Sequence, residues 1–218
     1  MGVILLVRHG QASWGAADYD QLSPQGGQQG GVVGEALAAR GVTPTRVLGG
    51  TLRRHGQTAR AAVARAGWGT TVEQDPDWNE FDHVQMLEVH GPPETAEAEL
   101  TRQDFDAWFD RAMERWVSGH YDGDYDEPFH VFSARVDRAL RRTAAGLGSG
   151  DTAVVFTSGG PISWVAATLL GGGVDMWMRL NPVTVNASVS KVVVGARGTT
   201  LVSLNEHSHL EPDLVTYR

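Results

Sequence analysis

A run of five aliphatic residues near the start of the chain, Val3 to Val7, is followed at once by Arg8, His9 and Gly10. Such a continuous apolar run indicates a strand buried on both faces, of the kind found at the centre of a parallel sheet. Ligands in open α/β sheets bind just beyond the carboxyl ends of the strands, so Arg8 and His9 lie where a functional site is expected. A basic surface turn that simply ends a strand is the alternative, and this short motif alone does not exclude it.

Composition narrows the classes of protein to consider. The 218 residues, 41% of them hydrophobic, suffice for one sizeable core. A net charge of -8 argues against a general nucleic-acid binder, and the absence of cysteine removes disulfides, thiolate metal sites and a Cys nucleophile. No apolar stretch approaches the roughly 20 residues that span a bilayer, and the first strand lacks the features of a signal peptide. We therefore expect a cytoplasmic protein that binds neither nucleic acid nor membrane.

The first third of the chain alternates between strand and helix signals. Ser23 and Pro24 predict the start of a helix that runs to about Arg40, because Ser caps helices and Pro suits the first helical position. Close packing on the sheet would explain the five glycines inside this helix, which otherwise weaken it. A short strand at residues 47–50, a helix at 53–66 and a third strand at 71–74 follow.

The remainder of the chain contains an insertion and then a second strand–helix unit. Residues 85–130 are rich in acidic and aromatic residues, with an apolar stripe at helical spacing (Phe105, Trp108, Phe109, Ala112, Met113, Trp116), and predict an inserted helical cap. After it we predict a helix at 131–147, a buried strand at 152–156 and a helix ending near Leu170. Two antiparallel closing strands are expected at 189–194 and 200–204. The expected fold is a single α/β domain, a three-layer α/β/α sandwich with a mostly parallel central sheet.

Four ordered motifs resemble the histidine phosphatase superfamily, also called the phosphoglycerate mutase-like family. Arg8-His9-Gly10 is similar to its RHG signature, and residues 52–59, which read LRRHGQTA, are similar to its L-x-R-A-x-Q-T-A element. Asn79-Glu80 resembles the loop that supplies the family's acid. Thr157-Ser158-Gly159-Gly160 occupies the place of its S-H-G-G element, with Ser158 where the family has a second His.

The resemblance implies a phosphohistidine mechanism. His9 would attack phosphorus through a neutral ring nitrogen, and water would then hydrolyse the phosphoenzyme. Arg8 and Arg54 would neutralise the phosphoryl oxygens and keep His9 uncharged. Glu80 would protonate the leaving alkoxide, which calls for a carboxyl pKa raised by burial or by a neighbour such as Asp82.

Where the sequence differs from the family motifs, we expect the binding of the phosphoryl group to be affected. Ser158 cannot supply the positive charge of a second His, so we consider compensation by the helix amides that begin at Gly159. A nearby histidine is the other source considered: His55, His83, His207 or His209. Gln11 and Ser13 are further candidates for substrate binding, although capping of the loop explains Ser13 equally well.

The sequence thus predicts a phosphatase acting on phosphomonoesters, with a small phosphorylated molecule or a phosphopeptide as substrate. Two alternatives remain: a phosphoglycerate mutase-type phosphoryl transfer, and a weakly active phosphate-binding regulatory protein. The mutase is less favoured because Phe81-Asp82-His83-Val84 does not match the E-R-H-Y-like stretch of those enzymes. No cofactor or metal is expected, and a homodimer is left open.

Overall fold

The computed structural model describes residues 1–13, 20–93 and 101–217 of the chain. The chain forms two compact units. The first combines Met1–Glu80 with Val136–Arg218, and the second is Phe81–Arg135.

The first unit is built around a mixed β-sheet. Its strands in the described residues are β1 (Gly2–Arg8), β2 (Arg46–Gly49), β3 (Val72–Gln74), β4 (Thr152–Thr157), β5 (Val189–Gly195) and β6 (Gly198–Glu206). Their order across the sheet is β3-β2-β4-β1-β5-β6. The first four strands in this order are parallel, whereas β5 is antiparallel to β1 and β6 is antiparallel to β5. The mostly parallel sheet with two antiparallel closing strands is confirmed.

The α-helices found in the described ranges are α1 (Pro24–Ala39), α2 (Arg53–Ala66), α3 (His83–His90), α4 (Arg102–Val117), α5 (Phe129–Ala145), α6 (Gly159–Leu169) and α7 (Gly173–Leu180). Leu5 and Val7 of β1 share a buried apolar cluster with residues of α1 and α2. Because side chains alternate along a strand, Ile4 and Leu6 lie on the opposite face, and both are fully buried. The arrangement is the expected α/β/α sandwich.

The glycines of α1 serve a different contact from the one that the sequence suggested. A Cβ atom on Gly34 would lie 2.5 Å from the Cα atom of Ala62 and 2.3 Å from its carbonyl oxygen. Ala62 belongs to α2, so Gly34 allows the two helix backbones to approach each other. The prediction that the glycines permit close packing is therefore confirmed at Gly34. The predicted packing partner was wrong, because Gly34 contacts a helix and not the sheet.

Most boundaries agree with prediction within a few residues, and α2 matches residue for residue. Helix α7 was not predicted. It lacks a side-chain hydrogen bond at its N-terminus and begins at the last of three consecutive glycines, residues 171–173, a composition that is typical of a loop.

The second unit contains α3, α4 and the beginning of α5. Thr101 and Asp104 form a capping box that starts α4. Along α4, Ala112, Met113 and Trp116 are buried, and Phe81 and Phe129 pack against the Trp116 ring. The aromatic stripe thus forms a helix face packed on its own unit, while its role as a cap on the sheet remains a prediction.

No α-helix in the described part of the chain combines the length and the apolar character that crossing a bilayer requires.

Candidate active site

Two neighbouring strands bring the first candidate residues together. Arg8 pairs with Thr157 in the parallel register of β1 and β4, and the His9 amide donates to the Thr157 carbonyl oxygen at 2.8 Å. The next residues, His9 and Ser158, therefore leave the sheet side by side. Both side chains are buried, with exposed fractions of 5% and 0%.

The loop after β1 is fixed by close contact with α1 and α2. A Cβ atom on Gly10 would lie 2.1 Å from the carbonyl oxygen of Gly26 in α1, so only glycine fits at this point. The Gly10 amide donates to Oγ1 of Thr58 in α2 at 3.0 Å. These contacts hold the His9 backbone rigidly between the sheet and two helices.

The hydrogen bonds of His9 determine its tautomer. Nε of Arg54 lies 3.2 Å from Nε2 of His9, and a guanidinium group only donates hydrogen bonds. Nε2 must therefore carry a lone pair. The proton resides on Nδ1, which donates to the Gly10 carbonyl oxygen at 2.7 Å. His9 thus presents an unprotonated Nε2 toward the arginine.

The surroundings of His9 favour its neutral form. Burial lowers the pKa of His9 well below the ordinary value of 6.5, and the charges of Arg54 and Arg8 lower it further. The hydrogen bond to the Gly10 carbonyl acts in the opposite direction but is outweighed. His9 therefore keeps its lone pair at neutral pH.

Arg54 is held by a carboxylate that the sequence did not reveal. Nη1 of Arg54 pairs with Oδ1 of Asp20 at 2.8 Å, and the second Asp20 oxygen accepts from the Arg53 amide at 2.8 Å. Because Asp20 engages both the side chain and the start of α2, it fixes the direction of the Arg54 guanidinium. The Nε–H group of Arg54 still donates to His9, so the positive charge of the guanidinium lies next to the His9 ring.

Arg8 is the last residue of β1 and precedes His9. Its Nη1 donates to the backbone carbonyl oxygens of Thr184 and Tyr217, the latter at 2.9 Å. Its Nε atom lies 3.6 Å from the position that a Cβ on Gly159 would occupy. Arg8 is thus anchored by the C-terminal segment and approaches the start of α6.

Glu80 reaches the same end of the sheet from the loop after β3. Its Oε2 accepts a hydrogen bond from the Gly160 amide at 3.0 Å, in the first turn of α6. The sequence suggests the amides of this turn as an anion site in place of a second His. The structure shows that the carboxylate of Glu80 occupies one of them, the amide of Gly160, which lies two residues after Ser158 in the chain.

Ser158 is in contact with the histidine that follows Arg54. Nε2 of His55 lies 2.7 Å from Oγ of Ser158, and the His55 ring centroid is 5.7 Å from that of His9. His55 is completely buried, and burial together with the charge of Arg54 lowers its pKa well below 6.5. His55, one of the histidines considered from the sequence, thus lies beside His9.

The comparison with known families agrees with this geometry. The sequence profile of the histidine phosphatase superfamily (branch 1) matches residues 4–207. The chain belongs to this superfamily. Among curated proteins, no sequence matches that of the chain.

Solved structures of other proteins share the fold of this chain. A mutant phosphoserine phosphatase from Entamoeba histolytica in complex with phosphoserine has a TM-score of 0.69 at 20% identity, covering 97% of this chain and 100% of its own. A mycobacterial glucosyl-3-phosphoglycerate phosphatase has a TM-score of 0.65 at 22% identity, covering 94% and 99%. The phosphoglycerate mutase of Bacillus anthracis has a TM-score of 0.68 at 17% identity, covering 95% and 94%. At these identities the likeness establishes the fold alone.

Four other residues that the sequence suggested for the site form hydrogen bonds within the protein. Gln11 accepts a hydrogen bond from the Ser23 hydroxyl at 2.9 Å and thereby ties the loop to α1. The Ser13 amide donates to the Gln21 carbonyl, which agrees with a loop-fixing role. His207 and His209 bond to backbone carbonyl oxygens of Asn205 and Ala187. Substrate binding by Gln11, Ser13, Ser158 and Gly159 remains a prediction.

We predict that the free energy of unfolding of this histidine phosphatase decreases as the pH falls from 7 to 5.5. His9 and His55 have folded-state pKa values below 6.5, so the unfolded chain binds more protons than the folded chain below that pH. Each can therefore remove up to about 1.4 kcal/mol per pH unit in that window. Urea unfolding at pH 7, 6 and 5.5 measures the effect. The His55→Gln variant, which lacks one of the two groups, should show a shallower slope, and equal slopes for parent and variant would contradict the assignment.

Proposed function

We propose that this protein is a phosphomonoesterase that works through a phosphohistidine at Nε2 of His9. The observation that carries the proposal is the tautomer of His9: Nδ1–H is fixed on the Gly10 carbonyl, and Nε2 has a lone pair beside Arg54. A neutral imidazole in this state is a nucleophile, and arginine guanidinium groups suit the oxygens of a phosphoryl group.

In the first step the lone pair of Nε2 attacks phosphorus in line with the ester oxygen. For this attack, Arg54 must transfer its Nε hydrogen bond from His9 to a phosphoryl oxygen, which frees the lone pair. Arg8 and Arg54 stabilise the charge on the three nonbridging oxygens. The P–O ester bond breaks as the N–P bond forms, and Glu80 gives its proton to the departing alkoxide.

In the second step water attacks the phosphohistidine and His9 departs as a neutral ring. Glu80, now a carboxylate, accepts a proton from the water, so the cycle returns each group to its initial state. The hydrogen bond that the Glu80 carboxylate accepts from the Gly160 amide, in the first turn of α6, supports its assignment as the acid and base.

Small phosphorylated metabolites are the proposed substrates. The structural relatives include a complex with phosphoserine and a phosphatase named for glucosyl-3-phosphoglycerate, both small phosphomonoesters. The decisive experiment is a panel of such esters with detection of inorganic phosphate. Release of phosphate, together with a base-stable and acid-labile phosphoenzyme, is expected. Absence of both on every ester would contradict the proposal.

A mutase is the second candidate, because a phosphoglycerate mutase shares the fold over 95% of this chain. It predicts that isotope-labelled phosphate moves between two positions of one substrate with little free phosphate released. Incubation of labelled monophosphoglycerate and separation of its isomers distinguishes the two reactions. We expect hydrolysis to exceed transfer.

A further inference from the structure

His55 is a buried histidine to which the proposed reaction gives no role. Its side chain has no exposed surface, and its Nε2 atom lies 2.7 Å from the hydroxyl oxygen of Ser158. Ser158 is equally buried and continues β4 directly beside His9. A buried imidazole is thus joined by one hydrogen bond to a hydroxyl at the edge of the proposed phosphate site.

The opposite ring nitrogen of His55 lies against Gly50, and the side-chain oxygen of Asn79 approaches the same glycine without forming a hydrogen bond to that nitrogen. Nδ1 lies 2.3 Å from the position that a Cβ on Gly50 would occupy, so the ring packs directly against that glycine. Within the described residues, Nδ1 is buried and has no hydrogen-bond partner. A proton on Nδ1 would be a buried donor without an acceptor, which is costly. A proton on Nε2 instead finds the Ser158 oxygen.

The tautomer of His55 decides what Ser158 can offer to an anion. If Nε2 accepted the Ser158 proton, the hydroxyl would present only lone pairs and repel a phosphoryl oxygen. If Nε2–H donates to Oγ, the Ser158 proton is released to point elsewhere. A hydroxyl that already accepts a hydrogen bond is also a better donor, because bonds in a chain polarise one another.

We propose that His55 is a positioning residue that acts through Ser158: its Nε2–H donates to Ser158 Oγ and thereby directs the Ser158 hydroxyl as a donor to the phosphoryl group on His9. The inference rests on the proposed function. In this proposal the Ser158 hydroxyl is a third donor to the phosphoryl group, in addition to Arg8 and Arg54. Its orientation is set by His55 of α2.

Two substitutions at position 55 separate this role from simple packing. The side-chain amide nitrogen of Gln lies as many bonds from Cα as Nε2 of His, so His55→Gln retains a donor to Ser158. The amide of Asn lies one bond closer, at the level of Nδ1, so His55→Asn removes that donor while leaving a polar residue of similar kind. His55→Asn is therefore the matched control for His55→Gln.

The kinetic test combines these variants with Ser158→Ala. Loss of one donor to a charged phosphoryl group is expected to lower kcat/KM about 10- to 100-fold. We expect this loss in His55→Asn and in Ser158→Ala, no further loss in the double variant, and activity close to the parent in His55→Gln. Multiplying effects in the double variant, or a His55→Gln as impaired as His55→Asn, would overturn the relay.

Two further measurements keep the proposal testable where a variant folds poorly or a substrate is lacking. A two-bond ¹H–¹⁵N correlation spectrum of the parent should show the His55 proton on Nε2, and a proton on Nδ1 overturns the inference.

Affinity for inorganic phosphate should be weaker in His55→Asn and parent-like in His55→Gln. A parent that does not bind phosphate overturns both proposals. A parent that binds and hydrolyses, with His55→Asn unchanged, overturns only the role of His55.

Discussion

Replacement of His9 by alanine is expected to reduce turnover of every substrate by at least about 10⁴-fold, because it removes the proposed nucleophile. Nε2 is the atom that the structure presents without a proton, and a methyl group cannot form the N–P bond. The measurement is release of inorganic phosphate from the best ester of the panel. Trapping with labelled substrate should at the same time show no phosphoenzyme in the variant.

The control for this substitution is His120→Ala, which removes an exposed histidine in the second unit. It should retain parent activity and a labelled phosphoenzyme. The His9→Ala variant should still bind inorganic phosphate, since Arg8 and Arg54 remain. Labelling of the alanine variant at the level of the parent would show that the phosphoryl group is accepted by another residue.

Local signals explain why much of the fold was predictable. The aliphatic run of β1 and the Ser23-Pro24 start of α1 each lie within a few neighbouring residues, and the Ser23 hydroxyl does cap α1 by accepting from the Gly26 amide. Parallel strands with helices between them leave few topologies open. The placement of His9 at the carboxyl end of a central strand follows from the same local pattern.

The contacts that complete the site depend on distant parts of the chain. Asp20 pairs with Arg54 across 34 positions, and His55 contacts Ser158 across 103. No short sequence motif indicates either contact, because only the fold brings residues so far apart in the chain into contact. From the sequence, Ser158 suggested a weakened site and His55 was one of four equal candidates. The structure joins these two residues in a single hydrogen bond.

The same long-range argument applies to Glu80. Its motif predicted that it is the acid, but only the fold reveals that its carboxylate accepts a hydrogen bond in the first turn of α6. The amide of Gly160 donates a hydrogen bond to one oxygen of Glu80, which fixes the direction of the carboxyl group. We infer that α6 serves the reaction by orienting Glu80, while the phosphoryl group is bound mainly by Arg8, Arg54 and Ser158.

The second large effect is expected for Glu80→Gln. Loss of a general acid costs about 10²- to 10⁴-fold in the rate of releasing a poor leaving group. Gln has the same size, and its amide oxygen can still accept from the Gly160 N–H, so the substitution changes the proton and little else. We therefore expect a large fall in kcat for phosphoserine or another alkyl ester. For p-nitrophenyl phosphate the fall should be much smaller, because nitrophenolate leaves without a proton.

The ratio of the two rates makes this prediction specific to proton transfer. Glu211→Gln changes an exposed carboxylate near the C-terminus and should preserve the parent ratio. If Glu80 only shaped the loop, its substitution would slow both esters equally. An equal loss would assign the leaving-group proton to another donor, whereas a selective loss for the alkyl ester places that proton on the carboxyl held by α6.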